Sequence, residues 1–158
     1  MVVESGTKCQ KVGNSMFIGE YKHNLDAKGR MIIPVKFREQ FGASMIVTRG
    51  LDGCLTVYSL IQWNQILDQL KKLPSTKRES RMYMHMLTAK AAEVSLDNQG
   101  RILLPSGLIA EAKLVKECVV IGVVDHVEIW DVSLWQDYYN KASDSFEDIA
   151  ESLTDFIL

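Results

Sequence analysis

The sequence predicts an α+β fold in which two similar halves interleave into one pseudo-twofold β-barrel with flanking helices. Three observations carry this reading. A ten-residue block, Leu25-Asp26-Ala27-Lys28-Gly29-Arg30-Met31-Ile32-Ile33-Pro34, returns as Leu96-Asp97-Asn98-Gln99-Gly100-Arg101-Ile102-Leu103-Leu104-Pro105. The segments that follow each block come in the same order. Each half is too short to bury a good core alone, and interleaving the two solves that problem. A repeated surface turn also suits a pseudo-symmetric binding surface better than a single catalytic cleft.

Each block is a polar turn running into an apolar strand that stops at a proline. Aspartate opens the turn and can bond the backbone two residues on. Glycine supplies a backbone conformation costly for other residues. Val35–Phe41 follows as a short helix with Phe37 and Phe41 on one face, framed by Pro34 and Gly42. Met45-Ile46-Val47-Thr48 and Cys54-Leu55-Thr56-Val57-Tyr58 read as hairpin strands around the glycine-rich turn Arg49–Gly53. Ser59 is placed to cap a helix carrying Leu60, Trp63, Ile66, Leu67 and Leu70 at helical spacing, ending before Pro74.

The second half repeats the plan. Pro105–Ala112 reads as the short helix, Cys118–Val124 and His126–Trp130 as the hairpin, and Ser133 as the cap of a helix containing Trp135. Between the halves, Thr76 and Glu79 can form a capping box for a linking helix reaching about Thr88. A last helix from about Ser145 places Phe146, Ile149, Leu153 and Phe156 on one face. The organisation is an extension over 1–15, a first repeat over 16–74, a linking helix over 75–92, a second repeat over 93–142 and an acidic helix over 143–158.

The formal charge of −2 hides an uneven distribution. Asp131–Leu158 holds seven acids and one base (Lys141), so residues 1–130 carry a balance of +4. Lys22–Glu39 has five bases against two acids, and Lys71–Lys90 has six against one. The global charge thus hides two basic segments and an acidic tail. No apolar run reaches membrane-span length, and no signal-peptide pattern opens the chain, so the expected compartment is the cytoplasm.

Cys9, Cys54 and Cys118 are odd in number and widely spaced, fitting neither a disulfide framework nor a zinc site. His23, His85 and His126 share no metal-ligand spacing, and no phosphate loop, nucleophile elbow or paired-carboxylate motif occurs. The chain is therefore expected to be no enzyme, with no catalytic residues, metal, cofactor or small-molecule substrate. Met82, Met84 and Met86 read as core filler. Tyr58, Trp63, Trp130 and Trp135 recur with the repeat and read as packing.

The repeated turn is the candidate site. Arg30 and Arg101 each stand at a strand start, where a rigid scaffold presents a guanidinium fork. That fork matches the O6 and N7 acceptors of guanine, or a phosphate. Lys28 adds a flexible charge. The plain alternative is that Asp26 pairs with Arg30, and Asp97 with Arg101, merely to staple each turn.

These residues resemble a known family. Met16-Phe17-Ile18-Gly19-Glu20-Tyr21, the Asp26–Arg30 turn, Thr48-Arg49-Gly50-Leu51-Asp52-Gly53-Cys54-Leu55 and the Gly100-Arg101 block are together similar to MraZ, a family of bacterial transcriptional regulators in the broader AbrB-like group. The resemblance implies two AbrB-like repeats in a swapped-hairpin, double-split β-barrel and a ring-shaped homo-oligomer. It also implies binding to double-stranded DNA at short direct repeats in the promoter of the division and cell-wall gene cluster, and so association with the nucleoid. By the same resemblance, Lys28, Gly29, Arg30 and Arg101 fall on the DNA-contacting region. Lys36 and Arg38 are added on charge grounds as phosphate contacts. Residues 1–15 precede the family's usual start, making Met16 an alternative initiator. In the second copy Gln99, Gly107 and Ile109 replace Lys28, Lys36 and Arg38, so the second turn is expected to contribute less. The rival readings are an antitoxin-like protein-interaction module and an RNA-binding protein.

Overall fold

The structure, a computed structural model, describes residues 16–157. The N-terminal extension, Cys9 and the choice of initiator lie outside the described residues. In the first half, β1 (Phe17–Asn24), β2 (Arg30–Ile32), α1 (Val35–Phe41), β3 (Ser44–Arg49) and β4 (Leu55–Ser59) precede α2 (Leu60–Leu70). After α3 (Arg78–Thr88) come β5 (Ala92–Ser95), β6 (Arg101–Leu103), α4 (Ser106–Glu111), β7 (Glu117–Val124), β8 (His126–Asp131) and α5 (Val132–Asp144). The chain closes with α6 (Phe146–Ser152) and α7 (Thr154–Ile157).

The halves exchange strands. A six-stranded antiparallel sheet runs in the order β1-β7-β8-β4-β3-β5, and β2 pairs with β6 in a separate ribbon. β1 thus lies against the hairpin of the other half, and β5 returns the exchange. The order maps onto itself when the halves are swapped. Met31 faces Ile102 at the centre of the ribbon, and Thr56 faces Glu128 at the centre of the β4–β8 pair. Both are pairs of repeat-equivalent residues, so one pseudo-twofold axis passes through both.

The core lies between the two sheets. Met31 and Ile102 point inward from the ribbon, and Leu55, Val57, Val127 and Ile129 point inward from β4 and β8, all fully buried. Phe37 from α1 and Leu108 from α4 complete the same cluster. Phe17 meets Phe41 in a stacked pair with centroids 4.7 Å apart and Phe37 edge-on at 5.5 Å. The α+β class and the two antiparallel repeats thus stand as expected. Among the described residues the strands form two sheets rather than one hydrogen-bonded closed barrel.

Local chemistry explains most boundaries. The Ser59 hydroxyl caps α2 by accepting from the Gln62 amide at 3.1 Å. At α5 the cap is Asp131, whose carboxylate accepts from the Ser133 amide at 3.1 Å, and Ser133 sits inside the helix. An ionised carboxylate at a helix N-terminus also opposes the macrodipole, which a hydroxyl does not. No side-chain cap precedes α3; Lys77 takes the cap position, and the Thr76 box is not formed. The tail divides at Leu153 into two short helices. Tyr58–Trp63 and Trp130–Trp135, equivalent pairs, join each long helix to its sheet with centroids 5.8 and 5.2 Å apart. Only Trp130 of these four is fully buried. The methionines of α3 depart from expectation: Met84 is half-buried, while Met82 and Met86 are exposed.

Candidate nucleic-acid interface

Each repeated turn is built around its aspartate. Asp26 Oδ1 accepts from the amides of Lys28 and Arg30 at 2.9 and 2.8 Å, and Asp97 Oδ1 accepts from Gln99 and Arg101 at 2.9 Å each. Gly29 and Gly100 sit at φ +85° and +76°, the left-handed region that a side chain disfavours. The halves lock each other: Ile33 N donates to Gly100 O at 3.0 Å, and Leu104 N to Gly29 O at 2.9 Å. Each turn is therefore fixed by the strand leaving the opposite turn.

The same aspartates hold the arginines. Arg30 Nε donates to Asp26 Oδ2 at 2.7 Å, and Arg101 Nε to Asp97 Oδ2 at 2.8 Å. Arg101 Nη1 also lies 3.9 Å from Asp26 Oδ2, so the two turns share a charged centre. The backbone bonds from Arg30 and from Arg101, aided by the guanidinium charges, hold the Asp26 and Asp97 carboxyls below the usual range. Stapling and ligand contact are compatible here. The aspartate engages Nε, and among the described residues neither Nη of Arg30 has a hydrogen-bond partner.

Ribbon register decides what the surface presents. Arg30 pairs with Leu103 and Ile32 with Arg101, so all four side chains share the face opposite the buried Met31–Ile102 pair. The result is a diagonal pair of arginines interleaved with exposed Ile32 and Leu103. These two apolar residues belong to the candidate surface and were missed by reading charge alone. The signal was there: in a strand of period two, residues 30 and 32 face the same way. Isoleucine and leucine on a polyanion-binding face can meet sugars or a thymine methyl.

The lysines flank this face unequally. Lys28 is exposed at the first turn and Lys36 at the start of α1, where the second half has Gln99 and Gly107. Arg38 is placed differently. Its Nε donates to Ile33 O at 2.7 Å, and its guanidinium lies against Gly100, where a Cβ would collide with it. The equivalent Ile109 packs on Gly29. Arg38 is thus a brace between α1 and the second turn.

Away from this face, Cys54 and Cys118 are both buried. Burial pushes the Cys118 thiol up to about 11 and the Cys54 thiol higher, Cys54 also through nearby Glu128, so neither is an activated nucleophile. No cluster of three metal-ligating side chains occurs among the described residues, and no described helix is long and apolar enough to cross a membrane.

The sequence profile of one protein family, described as "MraZ protein, putative antitoxin-like", matches residues 16–85 and 87–157. The chain belongs to the MraZ family. The two matched stretches correspond to the two halves that exchange strands, with the junction near the end of α3. The MraZ repeat is thus a unit of sequence that does not form a separate unit of structure, because each copy completes its sheet with a strand from the other.

Proposed function

We propose that this MraZ-family chain is a sequence-specific double-stranded-DNA-binding transcriptional regulator, acting by binding rather than by catalysis. It acts on short direct repeats in a promoter of the division and cell-wall gene cluster, as a ring-shaped homo-oligomer associated with the nucleoid. The observation that carries this reading is the β2–β6 ribbon. It presents Arg30 and Arg101 on one outward face, each oriented by its own aspartate and mounted on a fully buried residue pair. Arg30 reads a guanine edge, Lys28 and Lys36 draw in phosphates, and Arg101, whose turn carries Gln99 in place of a lysine, adds a second contact. The ribbon follows directly from β1 and β5 and shares their core, which supports a swapped-hairpin barrel as the scaffold.

Several weak contacts on one ring add through effective concentration, which suits tandem sites. The experiment is footprinting on the promoter upstream of its own gene, with affinity measured across salt on one site and on tandem sites. Each neutralised phosphate adds about 0.9 to the slope of log affinity against log salt. A steep slope on tandem sites and a shallow one on a single site are expected. Binding indifferent to salt and site number would leave the antitoxin-like protein-interaction reading ahead. Preference for single-stranded RNA over duplex DNA would favour the RNA-binding reading.

A further inference from the structure

An open groove of about 520 Å³ lies between the first turn and β5. Lys28 and Gly29 form one wall, Ala92 and Glu93 of β5 the other, and Leu103 of β6 and Ile109 of α4 close it. The groove exists because β5 is an edge of the six-stranded sheet, and among the described residues no strand pairs with its outer side. Lys28 and Leu103 are exposed and also belong to the candidate DNA face. Groove and ribbon therefore open to the same side as one continuous surface.

The pseudo-twofold axis shows what has been left out. At the equivalent place beside the second turn, Tyr21, His23 and Arg38 stand where Ala92, Val94 and Ile109 stand here. There the chain fills its own space. Arg38 covers Gly100, and Tyr21 packs edge-on against Phe37 with centroids 5.4 Å apart. Partial burial and the neighbouring Arg38 charge both lower the His23 pKa. Beside the first turn a phenol, an imidazole and a guanidinium are replaced by alanine, valine and isoleucine. The result is an apolar recess with Lys28 on one rim and Glu93 on the other.

A nucleotide matches this recess in one placement. Its phosphate belongs at Lys28, away from Glu93, and the edge turned to the floor must be apolar. Of the base edges shown in the major groove, only that of thymine carries an apolar group, the 5-methyl. We propose that the groove between the first turn and β5 holds the 5-methyl group of a thymine, with Lys28 on an adjacent phosphate. This rests on the DNA-binding reading above and adds a second base to it: Arg30 takes a guanine and the groove takes a nearby thymine. Ala92 and Ile109, both half-buried and uncharged, are then specificity-determining residues.

The test replaces each thymine of the footprinted duplex in turn by deoxyuridine, which removes the methyl alone. Affinity for the full chain is read by fluorescence anisotropy. One thymine in each bound repeat should cost the wild type about fourfold in affinity, the effect of exposing one methyl-sized apolar group. Ala92→Tyr gives this groove the residue of its counterpart. It should bind the thymine duplex more weakly and lose nothing further with deoxyuridine. Circular dichroism checks its folding, and Ala92→Leu replaces it if it misfolds. A scan with methylphosphonate linkages removes one phosphate charge at a time. It should place the phosphate that matters to the wild type but not to Lys28→Gln next to the responding thymine. The proposal is overturned if no thymine responds, if the Ala92 variant responds as the wild type does, or if the Lys28-dependent phosphate lies elsewhere. In each of those outcomes the wild type still binds the duplex, so the DNA-binding reading stands. A wild type that binds no duplex overturns that reading, and this one with it.

Discussion

Truncating Arg30 separates recognition from stapling. In Arg30→Ala the backbone half of the turn survives, because Asp26 Oδ1 still accepts from the Lys28 and Arg30 amides. What is lost is the Nε–Asp26 pair, whose side chains are 32% and 34% exposed. Pairs this exposed contribute about 0–1 kcal/mol. For a domain of this size that is a fall of at most about 4 °C in Tm. A bidentate guanine contact is worth about 1–3 kcal/mol, or about 5–150-fold in affinity. The expected result is therefore a large affinity loss with nearly unchanged Tm. Fluorescence anisotropy on the footprinted duplex measures the first, and thermal unfolding the second. Replacing the contacted guanine by 7-deazaguanine should weaken the wild type and leave Arg30→Ala unmoved. A variant that unfolds well below the wild type, or binds the operator equally well, would refute the argument and leave Asp26–Arg30 as a staple only.

Three further outcomes are expected. Lys28→Gln combined with Lys36→Gly, which gives the first turn the residues of the second, should weaken DNA binding more than Arg101→Ala does; equal losses in a filter-binding assay would show that both turns engage alike. Ile102→Ala removes half of the fully buried pair on the pseudo-twofold axis and should cost about 2–5 kcal/mol in chemical denaturation. His126 lies between Glu128 (3.0 Å) and Asp125 (2.8 Å) with Tyr58 beside it. Burial alone would lower its pKa, but the hydrogen bonds to Glu128 and Asp125 and their charges raise it. The pair therefore stabilises the fold fully below the unfolded value of about 6.5 and loses that contribution as pH rises through the raised value. Unfolding curves should show this fall in the wild type and not in His126→Gln.

Much of the local structure was legible because local chemistry fixes it. The Asp–Gly–Arg spacing foretold the turn, and the hydrophobic periods foretold the hairpins and long helices. Strand exchange was not legible. β1 and β7 are some hundred residues apart, and an alternating strand such as Phe17–Asn24 does not name its partner. Two misreadings have simple causes. Met82 and Met86 are four residues apart and share a helix face, but it turned out to be the outward one. Asp131, two residues before Ser133, is the charged competitor that took the cap. The candidate site was legible as charge and missed as shape. Ile32 and Leu103 enter it only through the β2–β6 register, and only the fold shows that Gly100 offers the Arg38 guanidinium a seat.

That seat has a consequence for how such a surface can change. In a dimer of identical chains, whatever packs on one turn must also pack on the other. Here the two seats belong to one polypeptide, and they hold different tenants, an arginine over Gly100 and an isoleucine over Gly29. Joining the repeats lets a charged side chain pack on one turn and an apolar one on the other, without loss of the shared axis. The ribbon then has a direction, and a ligand with two unlike ends can be read in one orientation only.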